Sequence, residues 1–523
     1  MEKGFLLDKE MLELFSGLDE STANDLIDSL GHLKIEERVI TKGFFSKNIE
    51  KIQNMFVAGK SRMVIEKFFV NLGYSRTEVE EVEGVEMERD IKIISSPRFF
   101  PRKIGVQDFV SFFRGRYEQI RNILRGRDLE NLTSIRRIGE NKDNYSVIVS
   151  ILSKRITRNK NLLLEVEDLT GRARILINQN KEEVFSKAKD LMLDDIVAFQ
   201  VSGDSEWLYA NDVIFPDAFL TEKRRHDKEI FVAFTSDFHI GSTMFLEDNL
   251  KKFISWLNGE TGEAEQRKSA KNVKYLFLTG DNVDGIGVYP TQEKFLNIKD
   301  FKSQYNKLAE ILKMIRKDVK IIICPGQHDA VWVGHPQPTI GEDWAPELYK
   351  MENVFLVPNP CLVEIDGGFK ILMYHGAGMH DFVSEIEDIR LNYGHESPTR
   401  VVKEILKRRH LSPSHGSADY IPTEKKDSLV IDILPDIITT GDWHRADVGV
   451  YNNILMIAGS CWQSITPFEE KVGNNPDPCK VPILNLKTRE IKILDFSGNV
   501  EEKEEYKEKG EEIIGEVKDG KSN

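Results

Sequence analysis

Five short apolar runs, each closing on small or polar residues, constrain this chain more than any other feature. In chain order they read "EIFVAFTS", "VKYLFLTG", "VKIIICPG", "FKILMYHG" and "PDIITTGD". Runs of this length and composition predict buried strands. Helical stretches such as "FKSQYNKLAEILKMIRK" lie between several of them. Strands alternating with helices imply an α/β layered core, here spanning residues 228–497. Such cores place their chemistry in the crevice outside the strand ends.

The strand exits share one chemical character. The first supplies Asp237 and His239, and the second Asp281, with Asp284 one turn further. "CPGQHDA" follows the third and brings Gln327, His328 and Asp329. The fourth ends in His375, and the fifth in Asp442 and His444. Carboxylates, imidazoles and one amide oxygen suit hard or borderline divalent ions, Mn²⁺ or Mg²⁺, better than a thiolate-seeking ion. The candidates outnumber one ion's needs, so two ions sharing a carboxylate is the natural count. Two ions about 3.5–4 Å apart clamp the attacking and leaving oxygens of a phosphoryl displacement. A lone strand-end histidine is usually just a satisfied polar residue. All five exits in order make a strong joint signal.

The rest of the chain is built differently. Residues 1–75 carry apolar positions at helical spacing and predict a helical domain. Residues 76–140 read as an acidic, extended linker followed by a docking helix over 106–127, with Phe109, Phe112, Phe113, Tyr117, Ile120 and Leu124 on one face and Arg114, Arg116, Arg121, Arg125 and Arg127 solvated around it; a nucleic-acid role for these arginines is the competing reading. Residues 141–220 shift to strand periodicity in the order strand, strand, strand, helix, strand, strand, which is that of an OB-fold barrel. Asp168 to Gly171 forms the turn of its hairpin. Such barrels hold single strands with basic and aromatic residues. Lys154, Arg155, Arg158 and Lys160 are the DNA-binding candidates, but aromatics are few, so a structural or protein-contact barrel competes. Residues 498–523 form a charged tail, read as mobile or as a lone helix. The net charge of −14 argues against coating nucleic acid without a basic partner. Four cysteines without C-x-x-C spacing fit a reduced, cytoplasmic protein. No apolar run is long enough to predict a membrane span.

The array D-x-H, G-D, then "GQHD", then H, then "GDWH" resembles the calcineurin-like metallophosphoesterases. "GDNVDGIGVYP", "GQHDAVWVGHPQPTI", "RRHLSPSHG" and "AGSCWQSITPFE", following an OB-fold, are similar to the small subunits of archaeal DNA polymerase D. The resemblance spans roughly residues 80–497. It implies a multidomain fold: an N-terminal α-helical domain, an OB-fold β-barrel and a calcineurin-like core in which a β-sandwich is flanked by helices. It also implies that Asp237, His239 and His444 hold one divalent metal, that Asp281 bridges, and that Gln327, His375 and Asp442 hold the second, with Mn²⁺ preferred and Mg²⁺ the other choice. His328 would sit beside the scissile phosphate, with Asp329 orienting it. The implied activity is 3′→5′ exonuclease proofreading. The implied partners are a large catalytic subunit, a DNA 3′ end and a sliding clamp. The alternative is an inactive phosphoesterase scaffold that binds and stabilises the large subunit. Two positions depart from the family pattern: Gln327 stands for Asn and Asp442 for His, and both keep a donor atom.

Overall fold

The computed structural model describes residues 90–101, 104–422 and 426–498, together with strands at Leu6–Leu7, Val39–Ile40, Arg76–Glu88, Glu501–Tyr506, Glu508–Lys509 and Glu512–Ile513. The helical domain expected over 1–75 otherwise lies outside the described residues. The chain divides into two units. One comprises residues 1–80, 98–111 and 422–424; the other comprises 81–97, 112–421 and 425–523 and carries the barrel, the sheets and the candidate site.

The first correction concerns the linker. Residues 91–101 are a strand, β1 (Ile91–Pro101), paired antiparallel with Cys361–Ile365 far along the chain. Ile91 and Ile93 alternate inward and are buried, which is what ties the strand down. Helix α1 (Val106–Arg125) follows, and Phe112, Tyr117, Ile120 and Leu124 of the expected face are buried along it, whereas Phe113 is partly buried and Phe109 exposed. Its arginines are not all solvated, a second correction. Arg116 is buried, pairs with Asp427 at 2.6 Å and donates to Pro413 O at 2.7 Å. Its guanidinium also lies over the Phe112 and Phe113 rings.

The five-stranded closed barrel is present. It comprises β2 (Asp143–Ile156), β3 (Leu162–Glu167), β4 (Arg172–Ile177), β5 (Ile196–Gly203) and β6 (Leu208–Ile214). Helix α2 (Glu182–Lys189) lies between β4 and β5 in the chain, as the sequence order predicts. Inward residues Val147, Val149, Ile151, Leu162, Leu164, Val166 and Ile175 fill it. At the β3–β4 turn the Asp168 carboxylate accepts from Thr170 N at 2.7 Å and Gly171 N at 2.9 Å. This local bonding fixes the hairpin register.

Two sheets form the layered core. The first runs β7 (Phe231–Thr235), β8 (Val273–Thr279), β9 (Lys320–Cys324) and β10 (Val354–Leu356) in parallel. The second contains β1, β11 (Cys361–Ile365), β12 (Phe369–Met373), β13 (Ile437–Thr440), β14 (Asp447–Tyr451) and β15 (Ile454–Ala458), in the order β14-β15-β13-β12-β11-β1 and then Arg76–Glu88. Strands β16 (Lys480–Asn485) and β17 (Ile491–Asp495) then extend the first sheet antiparallel beyond β7. Glu501–Tyr506 pairs with β17, so this part of the charged tail is a strand and not a lone helix.

Side-chain alternation sorts the layers. Val232, Phe234, Tyr275, Phe277 and Ile322 face Val363, Ile365, Ile371, Ile437 and Leu455 of the other sheet in one buried cluster. Ala233, Leu276, Leu278 and Ile321 turn the opposite way and pack on Leu250, Phe253, Leu308 and Leu312, which belong to helices α3 (Glu247–Leu257) and α4 (Phe301–Leu312). Leu372, Ile438 and Met456 do the same against Val401, Val402 and Ile405 of helix α5 (Pro398–Arg408). The result is a β-sandwich with helices on both outer faces. Among the described residues, no helix is long and apolar enough to cross a membrane.

Candidate metal centre

The five strand exits converge. Asp237 and His239 follow β7, Asp281 follows β8, Gln327 and His328 follow β9, His375 follows β12, and Asp442 and His444 follow β13. Asp237, His239, Asp281, Asp442 and His444 all adopt φ between 47° and 70°. That left-handed backbone is uncommon for residues other than glycine and gathers where side chains are held for a purpose. Tight turns let two side chains of one exit reach the same crevice. Glycine makes room: a Cβ on Gly326 would lie 2.2 Å from Asp281 Oδ1, and one on Gly280 2.2 Å from His375 Nδ1.

Second contacts fix the histidine tautomers. His239 Nδ1 lies 3.1 Å from Asp284 Oδ1, and His444 Nδ1 lies 2.7 Å from Glu469 Oε1. His375 Nδ1 lies 2.7 Å from Thr279 O, and His328 Nδ1 lies 2.7 Å from Asp284 O. Each contact draws the ring proton to Nδ1, which leaves Nε2 as an acceptor turned inward. The His239 and His444 Nε2 atoms approach to 3.1 Å. Asp281 Oδ2 lies 3.2 Å from His375 Nε2, 3.9 Å from His328 Nε2 and 4.0 Å from His239 Nε2. Asp237 Oδ1 lies 3.5 Å from His444 Nε2 and 3.9 Å from that of His375.

This donor set fits divalent cations. Asp237, His239 and His444 bring ligand atoms within 4.8 Å of one another, and so do Asp237, Asp281 and His375. His375 Nε2 and Gln327 Oε1 are buried without a hydrogen-bond partner, an arrangement that a cation would satisfy. Burial opposes charge on His375, yet the Asp281, Asp237 and Asp442 carboxylates outweigh it and lift the imidazole to about 10. Burial likewise opposes ionisation of Asp281, but the neighbouring His375, His328 and His239 hold its carboxyl far below the usual range. A crevice that draws a proton this strongly draws a cation for the same electrostatic reason.

Two expected positions differ in detail. Asp442 reaches the cluster, with Oδ1 3.9 Å from His375 Nε2, but both its oxygens already accept hydrogen bonds. Gln327 Nε2 donates to Oδ1 at 2.9 Å, and His380 Nε2 lies 2.7 Å from Oδ2. No hydrogen bond joins Asp329 to His328 among the described residues, so the orienting role expected of Asp329 is not a direct contact. Its buried carboxylate accepts from Gly326 N (2.9 Å), Asn282 N (3.2 Å), Asn282 Nδ2 (3.0 Å) and Tyr305 Oη (2.8 Å). It therefore braces the turn that carries His328, whose ring is held by the Asp284 carbonyl instead. Burial and the nearby Asp281 charge push Asp329 up to about 6, against the donors that favour its ionised form.

Sequence reasoning misses Glu469 and His380 and gives Asp284 no role. Glu469 closes the quoted "AGSCWQSITPFE" stretch, where its residue type alone assigns it no partner, and nothing marks His380 in "GAGMHD". Asp284 is at least visible one turn beyond Asp281. Of the DNA-binding candidates, Arg155, Arg158 and Lys160 are exposed on β2 and the turn after it. Lys154 is not free for phosphate: its ammonium donates to the carbonyls of Lys189 and Leu191 at the end of α2, and burial lowers its pKa.

The family model for the B subunits of DNA polymerases alpha and epsilon matches residues 232–448, the segment that supplies every strand exit above. The "DNA polymerase II small subunit" of Methanothermobacter thermautotrophicus is 34% identical, over 79% of this chain and 84% of that one. That of Archaeoglobus fulgidus is 35% identical, over 86% and 92% of the respective chains. That of Pyrococcus furiosus is 31% identical over 92% and 80%. Among solved structures, vacuolar protein sorting 29 of Cryptosporidium parvum aligns at 14% identity, covering 55% of this chain and 96% of that one, with a TM-score of 0.26. The sequence identities extend over most of each chain, and on them the chain belongs to the family of archaeal DNA polymerase II small subunits.

Proposed function

We propose that this polymerase small subunit carries a metal-dependent 3′→5′ exonuclease site at the strand-exit crevice. Membership of a small-subunit family implies a large catalytic subunit as its partner. The observation that carries the nuclease reading is the position of Asp281: its Oδ2 lies within 4.0 Å of the inward Nε2 atoms of His239, His328 and His375. A central carboxylate among histidines suits the bridge between two cations. Asp237, His239 and His444 would hold one, and Gln327, His375 and Asp442 the other. When bound, two divalent ions, Mn²⁺ in preference to Mg²⁺, supply Lewis-acid polarisation of the phosphate and neutralise charge on its oxygens.

The chain's own residues do the rest. His328 keeps its Nδ1 proton on the Asp284 carbonyl, so Nε2 faces the crevice and can hold a proton for the leaving oxygen. Asp284 and Glu469 fix the rings of His239 and His444, which keeps their lone pairs aimed. Asp329 holds the "PGQHD" turn in register. A DNA 3′ end would bring its terminal phosphodiester into this crevice, with Arg155, Arg158 and Lys160 of the barrel and a sliding clamp as further DNA-side contacts.

A scaffold that binds and stabilises the large subunit without cleavage is the second reading. It draws on the Asp442 carboxylate, both of whose oxygens are occupied by side-chain donors. One assay separates the two. The full-length chain, with its large subunit, is given a primer carrying a mismatched, labelled 3′ end, with and without Mn²⁺. The nuclease reading expects terminal nucleotides to be released only with the metal, and release to disappear in Asp281→Asn. Persistent absence of cleavage with Mn²⁺ and with Mg²⁺ would leave the scaffold reading.

A further inference from the structure

We propose that Tyr289 and Phe468 form a stacking platform for the terminal nucleobase of a DNA strand whose last phosphodiester lies at the crevice. The proposal rests on the nuclease reading above and adds to it the group that the site grips beyond the phosphate. The two rings stack with centroids 5.4 Å apart and planes 23° from parallel. Phe468 is 50% exposed and belongs to no buried cluster among the described residues. The Phe468 ring is thus open to solvent beside that of Tyr289, which is partly buried.

Its location says what would cover it. Tyr289, Phe468 and Val288 line the same cavity, about 500 Å³, as His239, His328 and His444. That volume lies in the range of small-ligand sites, roughly 300–1,000 Å³. The lining thus combines aromatic and apolar side chains with the candidate metal ligands. A nucleotide has the matching combination: a π-face at one end and a phosphate at the other.

Both rings are also fixed to the ligand histidines through their neighbours. Phe468 precedes Glu469, whose carboxylate holds His444 Nδ1 at 2.7 Å and closes a capping box with Thr466. Tyr289 lies on the loop leaving Asp284, which holds His239 Nδ1 at 3.1 Å. Gln292 clamps that loop: its Nε2 donates to Asp284 O at 2.7 Å and its Oε1 accepts from Val288 N at 2.9 Å. Two separate segments therefore bring one ring each to a set distance from the crevice. Stacking tolerates any base, because every base has a π-face. It also gives a hold that does not depend on positive charge, which suits a chain of net charge −14.

The test uses the full-length chain with its large subunit and two single strands, one ending in a normal 3′ nucleotide and one in a 3′ abasic residue. The wild type is expected to prefer the base-ended strand by about ten-fold in kcat/KM, mostly through KM. Phe468→Ala and Tyr289→Ala are expected to bring that preference close to unity, and Phe468→Trp to keep it. Equal handling of the two strands by the wild type, or a full preference surviving in Phe468→Ala, overturns the platform. A second readout needs no cleavage: fluorescence of a 3′-terminal 2-aminopurine is expected to be quenched on binding to the wild type and to recover in Phe468→Ala. If neither strand is cut by the wild type, the nuclease reading falls, and the quench alone decides the platform. An unquenched 2-aminopurine overturns it.

Discussion

The Asp442 carboxylate is shared between Gln327 Nε2 on one oxygen and His380 on the other. The two positions that depart from the family pattern thus touch each other, and their changes are coupled. Holding the Gln327 amide by its nitrogen leaves Oε1 buried and unpartnered, so the longer side chain still offers an oxygen. On the proposed two-ion reading, Asp442→Ala removes a ligand of the second ion as well as the acceptor that holds Gln327, and is expected to weaken that ion by at least the roughly 10–100-fold that losing an outer contact costs, while the other ion still binds. Calorimetric titration with Mn²⁺ reads this directly, and equal weakening of both ions would contradict the pairing. His328 and Asp329, adjacent in sequence, separate by role. His328→Ala is expected to lower the cleavage rate by roughly 10²–10⁴-fold with little change in melting temperature. Asp329→Ala removes the acceptor of four hydrogen bonds and is expected to lower the melting temperature as well as activity. All the proposed ligands could be named from sequence because strand exits advertise polar residues. The partners of Asp329 and Asp442 could not, since His380 lies 62 residues from Asp442 and Tyr305 lies 24 from Asp329.

At the scale of elements, periodicity revealed what is regular and concealed what is paired at long range. The barrel's strand order and its Asp168 turn were legible because local hydrogen bonds and alternation specify them. Strand β1 was not, because its acidic flank resembles a linker and its partner β11 lies some 270 residues on. Helix α1 was visible as an amphipathic helix, but the burial of Arg116 depends on Asp427, 311 residues away. Asp90, at the entry to β1, shows how the misread segment is anchored. Its carboxylate pairs with Lys274 at 2.5 Å, accepts from Tyr275 Oη at 2.9 Å and meets Lys320, all on the first sheet. Burial opposes the charge, but these partners prevail and lower its pKa from 3.8 to about 2. A carboxyl depressed in the folded state adds stability that is complete above its unfolded pKa and is lost as pH falls through the folded one. Asp90→Asn is therefore expected to cost at most about 2 kcal/mol at neutral pH, a figure that partial exposure reduces. Thermal unfolding of the two proteins should converge between about pH 4 and pH 2. A gap that is constant over that interval would show that the anchor is not electrostatic.

Among the links between barrel and sandwich is one buried ion pair, beside apolar contacts such as that of Met192 with the α5 cluster. Arg408, the last residue of α5, directs its Nε to both oxygens of Asp195 in the turn before β5, at 3.0 and 3.2 Å. Both side chains are almost fully buried, at 2% and 1% exposure. Arg408 also donates to Asp190 O at 2.5 Å and bonds Glu404 on its own helix, while Asp195 accepts from Met192 N at 2.8 Å. Its guanidinium thus satisfies the chain end of α2 and the core helix together. Their pairing is not legible in the sequence: Arg408 opens the "RRHLSPSHG" stretch and Asp195 sits in "LDDI", 213 residues apart. A buried pair contributes modestly as a pair, but removing one partner strands the other charge and costs about 3–5 kcal/mol. Asp195→Ala is therefore expected to do more than lower stability. With the junction weakened, barrel and sandwich should lose their common transition. Calorimetry should then resolve two steps where the wild type, if the junction couples the domains, shows one. The double variant Asp195→Leu/Arg408→Met removes both charges and should recover part of the lost stability and the single transition. If both variants unfold in one step with the same midpoint, the coupling resides in the apolar contacts of the two bodies and not in this pair.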